Sequence, residues 1–330
     1  MIYFYFEGYP NVMMGLGVAC AFLLTAWGLY KFKDRLPADE GRDFAVDGKL
    51  SRGKPRGGGL IFILAYALAV LLFAPLKVEY LTYTALIIVE MGTGYLDDRS
   101  SVPWGRFKKG ILDLVVALVI AYTYVHFNGC DIIIGFLGLE INMNRWLLYA
   151  LATLMVFVSI NVTNCADGVD GLSGTLVLVT IMSFIAVDIY NNPVFSGGYG
   201  NLGRFTYPAM FFVASILAYL WYNAPPSSLL MGDAGSRAMG VFISIIALKS
   251  KLPLLYFVFA IVLILDGGLG LLKIMIIKVF KKNPFVKLRT PLHDHVRKNI
   301  SKPWSNEQVD MRFAIIQGIC SVIYVFLFLR

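Results

Sequence analysis

The sequence contains too little charge for a water-soluble protein of its length. Charged residues make up 15% of its 330 positions and hydrophobic residues 58%, whereas soluble domains carry about 25% charged residues. So apolar a chain is typical of proteins that face lipid. The composition therefore excludes a soluble protein and predicts an integral membrane protein.

Cysteine and histidine are also scarce. The four cysteines are scattered along the chain, which excludes a disulfide framework, and no two of them have the spacing of zinc ligands. Of the three histidines, His293 and His295 lie two residues apart beside Asp294. This short segment is a candidate for metal or phosphate contact.

Long apolar runs are abundant. A helix needs roughly 20 apolar residues to cross the hydrocarbon core, and continuous runs favour helices over the alternating strands of a barrel. Ten runs qualify: 11–30, 57–76, 80–96, 110–127, 145–163, 172–190, 206–223, 236–250, 253–280 and 311–329. The sequence therefore predicts an all-α polytopic membrane protein with ten transmembrane helices, folded as a single domain over residues 1–330.

The positive charge is concentrated on one side of these runs. Of the 29 lysines and arginines, 22 lie in the loops that follow odd-numbered runs, and cytoplasmic loops retain positive charge. We therefore expect these loops in the cytoplasm and both termini outside. The net charge of +8 suits anionic lipid headgroups or an anionic substrate, and nucleic acid is not an expected partner.

The ninth run is unusually long. Its 28 residues would form a straight helix of about 42 Å, against a hydrocarbon core of about 30 Å. The sequence Asp266-Gly-Gly-Leu-Gly270 lies inside it, and such glycines often mark kinks. We therefore predict that the ninth helix is kinked or leaves the bundle obliquely.

A cluster of amides and carboxylates separates the fifth and sixth runs. Asn161, Asn164 and Asp167 are spaced by three, so on a helix they cover an arc of about 120° and can converge on one ligand. The neighbouring glycines permit a break that folds Asp170 back towards them. The cluster suits a metal, a base edge or sugar hydroxyls, and the alternative is a polar turn that caps two helices.

Two further acidic motifs lie on the same predicted face. Asp97 and Asp98 end the third run and can bind Mg²⁺ or supply a base, although a solvated helix end is the alternative. The segment from Gly232 to Ser236 opens the eighth run and can offer backbone N–H groups to a phosphate, with Asp233 as a metal ligand. Its alternative is an ordinary N-cap.

Lys54 and Arg56 precede a run of three glycines on this face. Their charges can neutralise a phosphate that approaches the backbone closely, and the alternative is simple anchoring at the membrane surface. Combined with the aspartates, these groups suit phosphoryl transfer from a soluble nucleoside diphosphate to a lipid headgroup, a reaction catalysed by positioning and charge.

In this order, the motifs resemble those of the polyprenyl-phosphate N-acetylhexosamine-1-phosphate transferases. The matching segments are 94–98, 161–174, 231–236, 290–295 and 304–313, and the last two resemble the branch that uses phospho-N-acetylmuramoyl-pentapeptide. The resemblance implies transfer of that group from UDP-MurNAc-pentapeptide to undecaprenyl phosphate, giving lipid I and UMP with Mg²⁺. It also implies a homodimer in the bacterial cytoplasmic membrane, among membrane lipids, with the active site facing the cytoplasm.

The resemblance implies roles for individual residues. Asp233 would hold Mg²⁺, with Asp97 and Asp98 as the essential carboxylates and His293 as the required histidine. Lys108 would contact the phosphates. The nucleoside wall, with its last member on the uracil, would consist of three residues: Asn164, Asp167 and Asp170.

Two other functions are compatible with the sequence. Pro55-Arg56 looks more like the related transferases that use UDP-N-acetylglucosamine, and Asp294 stands where the family has a histidine. A transporter would instead need charges near the bilayer midplane. The candidates for such charges are Glu90, Asp113, Asp266 and Lys273, but Glu90 and Asp113 lie close to the predicted cytoplasmic ends of their runs, where they suit a catalytic face better.

Overall fold

The computed structural model describes residues 1–6, 8–41, 46, 48, 51–191, 202–282 and 285–328, and helices dominate it. The helices are α1 (Ile2–Tyr5), α2 (Pro10–Phe32), α3 (Gly59–Phe73), α4 (Val78–Asp98), α5 (Arg106–Asn128), α6 (Arg145–Ala166), α7 (Leu172–Asn191), α8 (Thr206–Asn223), α9 (Gly232–Lys249), α10 (Tyr256–Phe259), α11 (Ile261–Phe280), α12 (Leu292–Lys298) and α13 (Asn306–Phe328). Two strands, β1 (Asp131–Ile134) and β2 (Leu139–Asn142), pair antiparallel between α5 and α6. Arg42 and Lys49 of the first basic loop lie outside the described residues, as do positions 329–330.

Each of the ten predicted runs contains a helix, as expected where lipid offers the backbone no hydrogen-bond partners. Six of the described helices are long and apolar enough to cross a membrane, and a bent pair would make a seventh. The prediction of an all-helical, multi-pass architecture is confirmed. The count of ten spans and the outward termini stay predictions.

Helix α9 is surrounded by protein rather than by lipid. All of its residues are buried, and it packs against α3, α4, α6 and α7. Its ionisable side chains, which include Asp233 and Arg237, therefore face protein rather than lipid. The candidate site lies at the beginning of this central helix.

Glycines let the ends of neighbouring helices approach α9 closely. A Cβ atom on Gly94 of α4 would overlap the backbone of Asp233 and Ala234, and one on Gly59 of α3 would overlap the backbone of Gly235. Small residues at helix contacts allow such approach. The result brings the acidic end of α4 against the acidic beginning of α9.

The direction of the ninth run changes at a different place from the one predicted. The short helices at Pro253–Phe259 make an angle of 88° with α11, and the break lies at Ala260. Helix α11 continues without interruption through Gly267 and Gly268, so the helix does not break at these glycines. Gly267 instead lies against the backbone of Val162 in α6, where a Cβ would not fit.

Candidate active site

Three carboxylates meet where α4 ends and α9 begins. Asp98 Oδ1 accepts the backbone N–H of Asp233, and Asp98 Oδ2 accepts that of Ala234, both at 3.1 Å. Asp97 and Asp233 are 7% and 5% exposed. The structure thus brings together the two acidic motifs that lie 135 residues apart in the sequence.

The carboxylate of Asp98 occupies the beginning of α9, where the sequence predicted that a phosphate would bind. The N–H groups at the beginning of a helix attract anions, and here the carboxylate of Asp98 binds them instead. Gly232 adopts a φ of +72°, and a Cβ at this position would collide with Asp98. The backbone of this turn therefore holds Asp98 and Asp233 side by side.

Two cations lie among the three carboxylates. Arg56 Nη2 is 2.9 Å from Asp98 Oδ1 and 3.2 Å from Asp233 Oδ1, while Lys109 Nζ is 2.9 Å from Asp233 Oδ2 and pairs with Asp97. Burial alone would lower the pKa of Arg56, but the nearby carboxylates, Asp98 first, raise it above its ordinary value. The five groups carry a formal charge of −1.

The lysine in this cluster is not the one that the resemblance implied. Lys108 is exposed, with its Nζ 3.2 Å from the centroid of the Trp104 ring, and Lys109 points to the carboxylates. Adjacent residues on a helix differ by about 100° in direction, so only one of them can face α9. The buried positions Asp113 and Ala117 continue the face of Lys109 at intervals of four, and this was the sequence signal for it.

The residues predicted to form the nucleoside wall lie in the last turn of α6 and just after it. Asn164 Nδ2 donates to Ser236 Oγ at 3.0 Å, and Ser236 in turn donates to the carbonyl of Gly232. Helix α6 ends at Ala166, and Asp167 accepts a hydrogen bond from Ser173. Asn161 lies apart from this wall, because its amide donates to Asp113 instead.

Asp170 lies across from a basic side chain, as the predicted break after α6 allows. Its Oδ2 accepts the backbone N–H of Ser227 at 3.0 Å and lies 3.4 Å from Lys54 Nζ. Gly171, with a φ of +82°, follows it in the left-handed region that glycine tolerates. The turn presents the carboxylate of Asp170 to a cavity.

This cavity has a volume of about 420 Å³, which lies within the range of about 300–1,000 Å³ that is usual for small-molecule sites. Acidic and basic side chains lie next to each other in its lining, as Lys54 does to Asp170 and Arg56 to Asp39. The charged residues of its lining are Asp39, Lys54, Arg56, Asp167, Asp170, Arg297 and Glu307. Arg56 belongs both to this lining and to the carboxylate cluster, so the two adjoin.

His293 is buried beside the same cavity. Asp266 holds it twice, because Oδ1 accepts its backbone N–H and Oδ2 lies 2.8 Å from its Nδ1. Its other nitrogen, Nε2, faces Gly168, which lines the cavity and has no room for a Cβ there. The sequence did not predict this role for Asp266, which was assigned to a kink or to transport.

The other two members of the His293 segment, Asp294 and His295, bond to residues within or just before α12. His295 Nδ1 accepts the backbone N–H of Arg289 at 3.2 Å, and Asp294 lies 3.5 Å from Arg297 and 3.4 Å from Arg289. The structure therefore does not bring His295 to the cavity.

The donor chemistry fits Mg²⁺ only as an ion shared with a substrate. Among the described residues, no group of three or more His, Cys, Asp or Glu side chains is arranged to hold a metal. Mg²⁺ is, however, commonly held by one or two carboxylates together with substrate phosphates. Asp233, which lies between Arg56 and Lys109, is the carboxylate that the resemblance assigns to such an ion.

In a helical membrane protein, a buried cluster of acidic and basic side chains beside a cavity suits the transfer of a phosphate-linked group. The chain belongs to glycosyl transferase family 4, whose sequence model matches residues 80–251. The family predicted from the motifs is thus confirmed, and the protein is a transferase.

The chain is similar over most of its length to proteins named phospho-N-acetylmuramoyl-pentapeptide-transferase. The relative from Treponema pallidum (strain Nichols) is 36% identical over 94% of this chain and 88% of its own. That from Rickettsia bellii (strain RML369-C) is 30% identical over 84% and 82%. That from Rickettsia prowazekii (strain Madrid E) is 28% identical over 83% and 80%.

Proposed function

We propose that the protein transfers phospho-N-acetylmuramoyl-pentapeptide from UDP-MurNAc-pentapeptide to undecaprenyl phosphate in peptidoglycan synthesis, forming lipid I and UMP. The proposal rests on one observation: a nucleotide-sized cavity adjoins the cluster of three carboxylates and two cations, and Arg56 belongs to both. The names of the relatives supply the donor. They favour the muramoyl donor over UDP-N-acetylglucosamine.

In this proposal the UDP moiety occupies the cavity. Asp170 faces the uracil, and Lys54 and Arg56 neutralise the diphosphate. An oxygen of the lipid phosphate forms a bond to the sugar-linked phosphorus, the bond between that phosphorus and the bridging oxygen of UDP breaks, and UMP leaves. Whether this occurs in one step or through an aspartyl intermediate, the work of the site is positioning and charge stabilisation.

The residues divide this work by position. Asp98 fixes the beginning of α9 through its two backbone hydrogen bonds, and so orients Asp233. Asp97 and Lys109 lie on the other side of Asp233. A Mg²⁺ ion, held by Asp233, would supply further neutralisation of the diphosphate charge.

Location and assembly follow from the same proposal. The loop charges favour the cytoplasmic face of a bacterial inner membrane for the site, where both the soluble donor and the headgroup of the lipid acceptor are accessible. A homodimer, implied by the resemblance, stays a prediction. The transporter alternative loses its best candidate, because the buried carboxylate of Asp266 is engaged by His293.

A panel of donors tests the proposal. We expect purified protein with undecaprenyl phosphate to release UMP from UDP-MurNAc-pentapeptide and not from UDP-N-acetylglucosamine, measured as coupled UMP formation. Both reactions are run with and without the lipid acceptor, so that hydrolysis of the donor is recognised. Release from UDP-N-acetylglucosamine alone would contradict the assignment and favour the related enzyme.

The nucleoside role of Asp170 has its own expected result. Asp170→Asn should raise the KM for the donor by about tenfold, with kcat changed less than about twofold, since a hydrogen bond to a charged group is typically worth this much. Asp170 lies in the cavity wall rather than in the carboxylate cluster, so binding should suffer before chemistry does. Initial rates at varied donor concentration measure both constants.

The matched control for this variant is Asp131→Asn. Asp131 accepts a hydrogen bond from Asn142 in the β1–β2 hairpin. Its substitution should therefore leave both KM and kcat unchanged. A fall in kcat at constant KM in the Asp170 variant would place Asp170 in the reaction rather than in nucleoside recognition.

A further inference from the structure

A second charged cluster lies deeper in the bundle than the candidate active site. Arg237, Glu90 and Asp113 have side chains that are only 2%, 0% and 3% exposed. Arg237 Nη2 lies 2.7 Å from Glu90 Oε1 and also bonds to Asp113 Oδ1. None of the three lines the cavity, and the proposed reaction makes no use of them.

Arg237, Glu90 and Asp113, called the deep layer below, lie on the same three helices as the carboxylate cluster. Each member shares a helix with a residue of the carboxylate cluster, one or two turns away: Arg237 with Asp233 on α9, Asp113 with Lys109 on α5, and Glu90 with Asp97 on α4. Spacings of four and seven keep both residues on about the same face of the helix. The charges on α5 and α9 are reversed between the two layers, so the same three helices are linked twice.

Stability of the fold does not explain why these charged side chains are buried. Charged groups inside a membrane bundle are costly, and well-packed apolar side chains often stabilise a fold as well or better. The deep layer has two carboxylates for one guanidinium, and among the described residues Arg237 Nη1 has no hydrogen-bond partner. The ionic contacts can form only at one rotation and one axial position of each helix. They therefore fix how the three helices are oriented relative to one another.

A fourth helix is joined to the layer by Asn161. Its Nδ2 donates to Asp113 Oδ2 at 3.2 Å and to the carbonyl of Phe157 within α6. Helix α6 also carries Asn164, which bonds to Ser236 on α9. The helices that carry the three carboxylates, Lys109 and Asn164 are therefore all joined in the deep layer.

We propose that Arg237 is a positioning residue, which with Glu90 and Asp113 sets the register of α4, α5 and α9 and so the spacing of Asp97, Lys109 and Asp233. The inference rests on the proposed function for its kinetic readout. A displacement of about 1 Å in a catalytic group can cost about a hundredfold in rate. The deep layer would affect the rate in this way without contacting the substrate, because it sets the register of the helices one or two turns from the site.

The first test is Arg237→Met, which keeps the length of the side chain and removes its charge. We expect kcat for UMP release to fall by at least about tenfold, while the KM for the donor changes less than about twofold. Arg237→Lys, which keeps a charge able to reach both carboxylates, should recover most of the rate. An Arg237→Met variant with unchanged kcat would overturn the proposal.

The chain offers a matched control at the other end of the same helices. Lys249 of α9 pairs with Glu79 of α4 at 2.9 Å and with Asn128 of α5 at 2.6 Å. It lies 16 residues beyond Asp233, or about 24 Å along the helix. Lys249→Met should therefore lower the thermal unfolding temperature in detergent without lowering kcat.

A third variant separates positioning from stability. The triple change Glu90→Gln, Asp113→Asn and Arg237→Met removes all charge from the layer and should unfold at a higher temperature than Arg237→Met alone, because no carboxylate is left unpaired. Its kcat should stay low, since the directional contacts are absent. Recovery of kcat together with stability would show that the layer is only structural.

Hydrogen exchange supplies a readout that does not depend on the reaction. The amides of Asp233 and Ala234 donate to Asp98 and should exchange faster in Arg237→Met, while the amides of α8 keep the wild-type rate. Unchanged exchange at positions 233 and 234 would contradict the proposal. If the wild-type protein releases UMP from neither donor, the proposed function fails, and this exchange measurement still decides the register inference.

Discussion

Asp233→Asn is expected to lower the rate of UMP release by more than about a hundredfold, the size of loss usual when one charge-stabilising group is removed from an active site. Asp233 is the carboxylate shared by Arg56 and Lys109 and the proposed ligand of Mg²⁺. Asparagine keeps the shape of the side chain and the backbone N–H that Asp98 accepts. The loss should therefore be one of charge rather than of fold.

The dependence on Mg²⁺ is the sharper part of this measurement. Wild-type activity should rise with Mg²⁺ and disappear on chelation, whereas the Asp233→Asn variant should stay inactive at every concentration tested. Full activity of the variant at limiting Mg²⁺ would contradict the metal assignment. Asp188→Asn, at the far end of α7 from the site, serves as the control and should respond to Mg²⁺ like the wild type.

The acidic residues of the site could be predicted from the sequence because each interrupts or ends an apolar run. A carboxylate such as Asp98 or Asp233 is costly beside lipid, so its presence at the end of a run indicates a function. The glycines beside these residues added a second signal. Gly94 and Gly232 mark the places where backbone or carboxylate approaches too closely for a Cβ.

The partners of these carboxylates could not be predicted in the same way. The choice between Lys108 and Lys109 depends on the rotation of α5, and that rotation is fixed by contacts of Asp113 with other helices. Asp266 posed a similar difficulty. Its pairing with His293 joins α11 to α12, and no local pattern indicates it.

Hydropathy left two features of the fold open, the position of the bend in the ninth run and the surroundings of α9. Glycine in a helix can mark a kink or a close approach, and at Gly267 the structure uses it for approach to Val162 of α6. An apolar run can likewise face lipid or protein, and α9 is enclosed by protein on every side. Hydropathy does not distinguish these surroundings, which is why the sequence predicted the helices better than their environment.

Lys109→Met is expected to lower kcat by about a hundredfold, whereas Lys108→Met should change it less than about twofold. Lys109 Nζ lies 2.9 Å from Asp233 Oδ2 and also pairs with Asp97, so its loss removes the cation that these two buried carboxylates share. Of the two cations in the cluster, Arg56 alone then remains, paired with Asp233. The repulsion should move them apart, and correct spacing of catalytic groups is worth this much in rate. Lys108 lies exposed over the ring of Trp104, and among the described residues it forms no ion pair with the three carboxylates.

The two lysines are adjacent and chemically identical, so each variant is the control of the other for expression, charge and membrane insertion. Initial rates of UMP release at saturating donor and acceptor measure the difference. The opposite result, an inactive Lys108→Met and an active Lys109→Met, would mean that α5 rotates when substrate binds. In that event the pairing of Asp113 with Arg237 would have to break, because it fixes the same face of α5 as Lys109, and the register proposed for the deep layer would not hold in the working enzyme.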